Sequence, residues 1–208
     1  METKFTEQES LAVITEMIDR ARHNIQQGAG NSMIFWGFFI ASIAILNIIL
    51  AFLLPNPNMS FWAWTLCVPG VLVDSFIQKK TDREAMIKTH VDKIVSAAWR
   101  GFFLANVCFL VIIFVTAYFF KNPQFFFLIT PIILLMAGIA EMITSVATRF
   151  KPFMWGATGM YIGSILCVLA FFVTKEIVVV QFLILATCMI FGFVIPGIKL
   201  NKLAKSHA

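Results

Sequence analysis

The chain has 208 residues, of which 60% are hydrophobic and 13% charged, and that charged share is about half that of an ordinary globular domain. Its 23 Phe and 5 Trp carry more aromatic surface than one water-soluble core of this size hides. This excludes a water-soluble domain and points to an integral membrane protein. The net charge of +5 then calls for a topological explanation before a nucleic-acid one.

In chain order, the first predicted element is an amphipathic helix within residues 1–30. Thr6-Glu7-Gln8-Glu9 reads as a capping box, in which the Thr6 hydroxyl accepts from the Glu9 amide. Leu11, Ile14, Ile18, Ala21 and Ile25 follow at alternating spacings of three and four, forming one apolar seam that Gly28 and Gly30 end. From Glu7 to Arg22 the charges are four acidic and two basic, a poor match for an anionic lipid surface. The seam is therefore expected to pack on protein. No short apolar run ends at a small-residue cleavage site, so the first span is expected to serve as the insertion signal.

Residues 31–200 are read as a six-span transmembrane domain. Crossing about 30 Å of hydrocarbon takes roughly 20 helical residues. The apolar stretches are Met33–Leu54, Phe61–Ile77, Ala98–Phe120, Phe125–Thr148, Met154–Thr174 and Ile177–Leu200. The second is the shortest, holds Pro69-Gly70 and ends near Asp74. Short connections at 55–60, 121–124 and 175–176 divide the spans into three helical hairpins. Between spans 2 and 3 lies a longer connection, read as a second amphipathic helix over about 79–97, with Ile87, Val91, Ile94 and Ala98 on one face. Its charges from Lys79 to Lys93 are five basic and three acidic, opposite in balance to the N-terminal helix. The two are expected to form a helical cap beneath the bundle, with a second copy or a cytosolic protein as the alternative partner. Residues 201–208 form a cytoplasmic tail.

Orientation follows from Lys and Arg. With the N-terminus inside, fourteen of the sixteen lie on the cytoplasmic side and only Lys121 and Lys175 on the outer side. Both termini are thus expected in the cytoplasm.

The first helix of each hairpin opens alike, at Trp36-Gly37, Trp99-Arg100-Gly101 and Trp155-Gly156, and the second helices carry Gly70, Gly138 and Gly192. A three-repeat transporter is one reading. The favoured one is that Trp anchors the interface and Gly allows close helix contact.

Ionisable groups at membrane depth cost about 2.5–3.5 kcal/mol on insertion scales and are functional candidates by default. Glu141 is the foremost, about 12 Å inward from Arg149 at 1.5 Å per residue. Asn106 reaches a similar depth, Thr144 is one turn from Glu141, and Arg100 and Asp74 are shallower. Glu141, Asn106, Arg100 and Asp74 therefore form a candidate intramembrane polar site. The alternative is a structural Arg100–Glu141 or Arg100–Asp74 pair that fixes helix register. Asn47 and Gln181 are expected to make interhelical hydrogen bonds.

Nothing in the sequence carries catalysis or a cofactor. Cys67, Cys108, Cys167 and Cys188 are single residues on separate spans with no Cys-x-x-Cys, and His23, His90 and His207 have no metal-ligand spacing. No enzyme activity, metal or cofactor is expected.

Glu9-Ser10-Leu11 with Ile14, Met17 and Ile18, then Trp36-Gly37, Thr89-His90-Val91-Asp92-Lys93-Ile94 ahead of Trp99, Phe150-Lys151-Pro152 before Trp155-Gly156, and Ile195-Pro196-Gly197 run through nearly the whole chain. In that order they resemble a family of uncharacterised small bacterial multi-pass membrane proteins. The resemblance implies a six-helix fold and a bacterial inner-membrane location, and it supplies no activity. The family often has Tyr where His90 stands, so no role is carried over to that residue.

The reading that results is an all-α, six-span inner-membrane protein with two cytoplasmic amphipathic helices. Its expected function is that of a non-enzymatic membrane component that binds a cytoplasmic protein, or a second copy of itself, through Leu11, Ile14, Ile18 and Ile25. The second reading is a small transporter or channel using the polar layer around Glu141. The bilayer is the expected surrounding, and no nucleic-acid partner is expected.

Overall fold

The computed structural model describes residues 30–84 and 90–206, and every regular element among them is helical. The helices are α1 (Asn31–Leu53), α2 (Cys67–Glu84), α3 (His90–Phe120), α4 (Ile129–Thr148), α5 (Lys151–Val173), α6 (Ile177–Met189) and α7 (Ile195–Ser206). Two 3₁₀ segments, Pro57–Leu66 and Pro123–Leu128, lead into α2 and α4, and a π-helical turn, Ile190–Val194, joins α6 to α7. Six helices are long and apolar enough to cross a membrane: Asn31–Leu53, Asn58–Thr81, His90–Phe120, Gln124–Thr148, Lys151–Val173 and Ile177–Ala204. In hydrocarbon the backbone must satisfy itself, so apolar runs of this length become helices.

The helix ends have local causes. Asn56-Pro57 and Asn122-Pro123 use one device: the Asn side chain accepts from the amide two residues on, at 3.1 Å from Asn58 and 3.0 Å from Gln124. Proline then opens each 3₁₀ segment, where its missing N–H costs nothing. At the opposite end Arg149 takes a left-handed conformation (φ 54°) and closes α4, and Pro152 starts α5. The 3₁₀ lead of the second span runs ten residues, which hydropathy alone does not distinguish from α-helix.

Of the helix expected over about 79–97, residues 85–89 lie outside the described residues. Residues 79–84 continue α2, while 90–97 are the first turns of α3 and pass into the bilayer stretch without a break. The apolar seam from Leu11 to Ile25, with the capping box before it, lies outside the described residues, as does Ile87.

Span 1 packs on span 2, spans 3 to 6 pack in succession, and span 6 packs back on span 1, which gives the spatial order 2-1-6-5-4-3. The most extensive interface joins α4 to α5. Its buried faces carry Thr130, Ala137, Gly138, Ala140, Thr144 and Ser145 against Gly156, Ala157, Gly163 and Ser164. Small residues let backbones approach, which matters where lipid removes the hydrophobic drive between helices. The core beside this seam holds Ala44, Leu134, Met160, Cys167, Phe182, Leu185, Met189 and Phe193. Spans 2 and 3 lie at the two ends of the order, and their apolar side chains such as Phe76, Leu104 and Tyr118 stand exposed as lipid-facing groups do.

Asn47 and Gln181, expected to make interhelical hydrogen bonds, are both paired. Asn47 and Ser60, both buried, bond reciprocally: Asn47 Nδ2 donates to the Ser60 carbonyl at 2.9 Å, and Ser60 Oγ donates to Asn47 Oδ1 at 3.2 Å. Gln181 Nε2 donates to the carbonyls of Phe127 (3.0 Å) and Cys167 (3.2 Å). The first of these has a reason in sequence: residue 131, four after Phe127, is proline and has no N–H to give. Pro131's own carbonyl takes the Ser164 hydroxyl at 2.7 Å.

Candidate functional site

Glu141 lies in the interior of α4 and is completely buried. Neither of its carboxyl oxygens has a hydrogen-bond partner. Among the described residues the only other buried side-chain polar atom left so is Asn106 Oδ1. A buried polar group without a partner costs about 1–3 kcal/mol or more, so it is kept for a reason beyond packing.

Two glycines make room for this carboxyl. A methyl on Gly156 of α5 would collide with Glu141 Oε1 and would stand 2.8 Å from Glu141 Cδ and 2.9 Å from Gly192 Cα. One on Gly192 would come within 3.3 Å of Oε2. The carboxyl is thus held between α5 and the π-helical turn of the last span. Met160 fills the space beside Gly192, with its methyl 2.5 Å from where a Gly192 Cβ would stand.

The π turn has an identifiable cause. Pro196 cannot donate to the carbonyl of Gly192 four residues back, so the α-helical ladder is interrupted in the stretch that faces Glu141. Single π turns inside helices occur often at functional sites. Gly37 of α1 meets the same turn from another side, where a Cβ would stand 3.0 Å from that of Phe193. Trp99 of α3 packs its ring over Phe193, with centroids 5.4 Å apart.

Beyond Gly156 a cleft of about 170 Å³ opens between α5 and the last span, lined by Pro152, Trp155, Gly156, Phe191, Ile195, Pro196 and Lys199. It lies toward the end of the bundle where Arg149, Lys151 and Lys199 stand. There the first and last spans are clasped together: Gly30 N donates to Asn201 Oδ1 at 3.0 Å, and Asn201 Nδ2 to Asn31 Oδ1 at 2.7 Å. Gly30 and Gly197 are in backbone contact at the same place.

The other residues read as one layer with Glu141 are placed separately. Asp74 is buried against α1, where it accepts from the Ser32 hydroxyl and from Gln78 Nε2 at 2.6 Å. Arg100 is exposed on α3, its Nε donates to the Ser96 carbonyl at 3.3 Å, and it forms no ion pair with any described residue. Neither the Arg100–Glu141 nor the Arg100–Asp74 pair of the structural alternative forms. The physical reason is rotation: α3 lies at the edge of the bundle and turns Arg100 away, and Asp74 finds neutral donors instead. Asn106 Nδ2 donates to the Phe102 carbonyl at 2.8 Å, and the Thr144 hydroxyl to Ala140 at 2.8 Å.

The repeat glycines divide similarly. Gly37, Gly70, Gly138, Gly156 and Gly192 are all close-contact positions, whereas a Cβ on Gly101 would meet nothing. Among the described residues no group of three or more His, Cys, Asp or Glu is placed to hold a metal ion. The fold and site define a six-helix polytopic protein with one buried, unpartnered carboxyl at a three-helix crossing. No family model, curated protein or solved structure matches the chain.

Proposed function

We propose that the protein is a small ion-coupled transporter of a bacterial inner membrane, with Glu141 as its coupling group. The observation that carries this reading is the complete burial of Glu141 with both oxygens unpartnered. A structural carboxylate is normally kept by a cation or by donors, and this one is kept by neither. The π turn and Pro196 beside it supply an element able to change arrangement without unfolding a span. On this reading the spans form three helical hairpins. The fourteen-to-two distribution of Lys and Arg supports an orientation with both termini in the cytoplasm.

The test is reconstitution of the wild type and Glu141→Gln into liposomes that enclose a pH or sodium indicator. Panels of amino acids, sugars, organic cations and weak acids are then offered outside. A solute that moves ions with the wild type and not with Glu141→Gln supports the reading. A solute carried equally by the variant, or no movement across the panel, counts against it. The other reading, a cytoplasmic cap that captures a protein partner, rests on the Leu11–Ile25 seam; loss of a co-purifying partner on deleting residues 1–28 would support it.

A further inference from the structure

The geometry points to a proton as the ion that exchanges at Glu141, reaching it through the cleft between α5 and the last span, past Gly156. This rests on the reading of Glu141 as the coupling group and adds which ion and which route.

The ion follows from the shell around the carboxyl. Gly156 and Gly192 approach the carboxyl closely, since a Cβ on either would stand within 3.3 Å of one of its oxygens. A hard cation takes about six oxygen ligands, at roughly 2.0–2.6 Å. Glu141 offers two oxygens, and the hydroxyl one turn away, on Thr144, donates to the Ala140 carbonyl. A proton needs one oxygen and no volume.

The route follows from Gly156 having two sides. One touches Glu141 Oε1, and the same residue lines the cleft. Glycine leaves no side chain between the two spaces. Lys199 gives the cleft one charged wall, while Trp155 and Phe191 on its border are exposed. The last span forms the opposite wall through Phe191 and Ile195, at the π turn that Pro196 enforces. A small shift there opens the space behind Gly156.

The ionisable groups facing this site are few. Glu141 is the only one on α4. On α5, Tyr161 packs on Gly138. From the last span Lys199 lines the cleft, and Cys188 lies farther along, against Gly163. From α3, Arg100 is turned outward.

The experiment is carboxyl labelling of the full chain in lipid nanodiscs, read by peptide mass spectrometry. Carbodiimides react with a carboxyl that carries a proton, so a bound metal ion protects and a bound proton permits. Dicyclohexylcarbodiimide enters from lipid; a water-soluble carbodiimide with an amine nucleophile enters from water. Glu141 is expected to be labelled by both, less as pH is raised, and equally with or without sodium. Ile195→Trp, which fills the cleft, slows the water-soluble reagent by about tenfold and leaves the lipid-soluble one unchanged. Ser42→Trp, in the open groove of about 540 Å³ between α1 and α6, changes neither. Protection by sodium would overturn the proton while leaving Glu141 as the coupling group. Ile195→Trp reacting at the wild-type rate, with Ser42→Trp folded and normal, would overturn the route. Failure of both reagents at every pH would remove the coupling group itself.

Discussion

Gly156→Ala is the smallest change that addresses the carboxyl site. The added methyl would stand 2.8 Å from Glu141 Cδ and 2.9 Å from Gly192 Cα, where ordinary contact begins at 3.4 Å. The carboxyl end can swing aside, but Gly192 Cα is backbone. About half an ångström must therefore come from separation of α5 and the last span. Overpacking of this kind costs about 1–3 kcal/mol. Gly159→Ala, three residues along the same helix, meets nothing within 4 Å and is expected to be neutral or to gain about 0.5–1 kcal/mol from the lower backbone entropy of alanine. Removing the carboxyl as well separates the two contacts. In Gly156→Ala/Glu141→Ala the methyl has lost one neighbour and keeps the other, so the pair should show a favourable coupling of about 0.5–3 kcal/mol. The assay is equilibrium unfolding in mixed micelles by SDS titration, followed by tryptophan fluorescence. Equal stability of Gly156→Ala and Gly159→Ala would refute the proposed packing of Glu141 against Gly156.

Two further predictions concern the polar pairs. Asn47→Ala and Ser60→Ala should each cost about 0.6–2 kcal/mol in the same unfolding assay, and the double variant should cost less than their sum, since both changes remove the same Ser60–Asn47 side-chain bond. Gln181→Leu should cost about 1 kcal/mol because it strips the donor from the Phe127 carbonyl. In a Pro131→Ala background the alanine N–H serves that carbonyl, so most of this cost should vanish; an unchanged cost would show that the Gln181–Phe127 bond carries none of it.

The spans were legible because each is a long apolar run, and Gln124–Thr148 in the structure lies within a residue of the run read from sequence. The start of the second span was not, because the ten residues from Pro57 to Leu66 are 3₁₀ and hydropathy carries no pitch. The described ends of the helix expected over 79–97 are continuous with their spans because an amphipathic stretch beside a span has no signal of its own to stop it. Glu141 was visible as a charge at depth, and Asn47 and Gln181 as polar residues in need of partners. Its surroundings were hidden because they depend on the helix order 2-1-6-5-4-3, which sets spans 4, 5 and 6 around one point and leaves Arg100 outside. Gly156, Gly192 and Pro196 did carry a signal. A proline four residues after a glycine marks a lost backbone donor, and the glycines mark a close crossing.

The central claim is that Glu141 is buried without a cationic partner, and replacing its charge tests that most directly. Breaking a buried ion pair costs about 3–5 kcal/mol, whereas an isosteric neutral group at an unpartnered site costs little. The unfolding free energies of Glu141→Gln, Arg100→Gln and their combination decide between these. The expected result is Glu141→Gln within about 1 kcal/mol of the wild type, Arg100→Gln within about 0.5 kcal/mol, and additivity in the double variant. A loss of about 3 kcal/mol or more in either single variant, with strong coupling between them, would contradict the account.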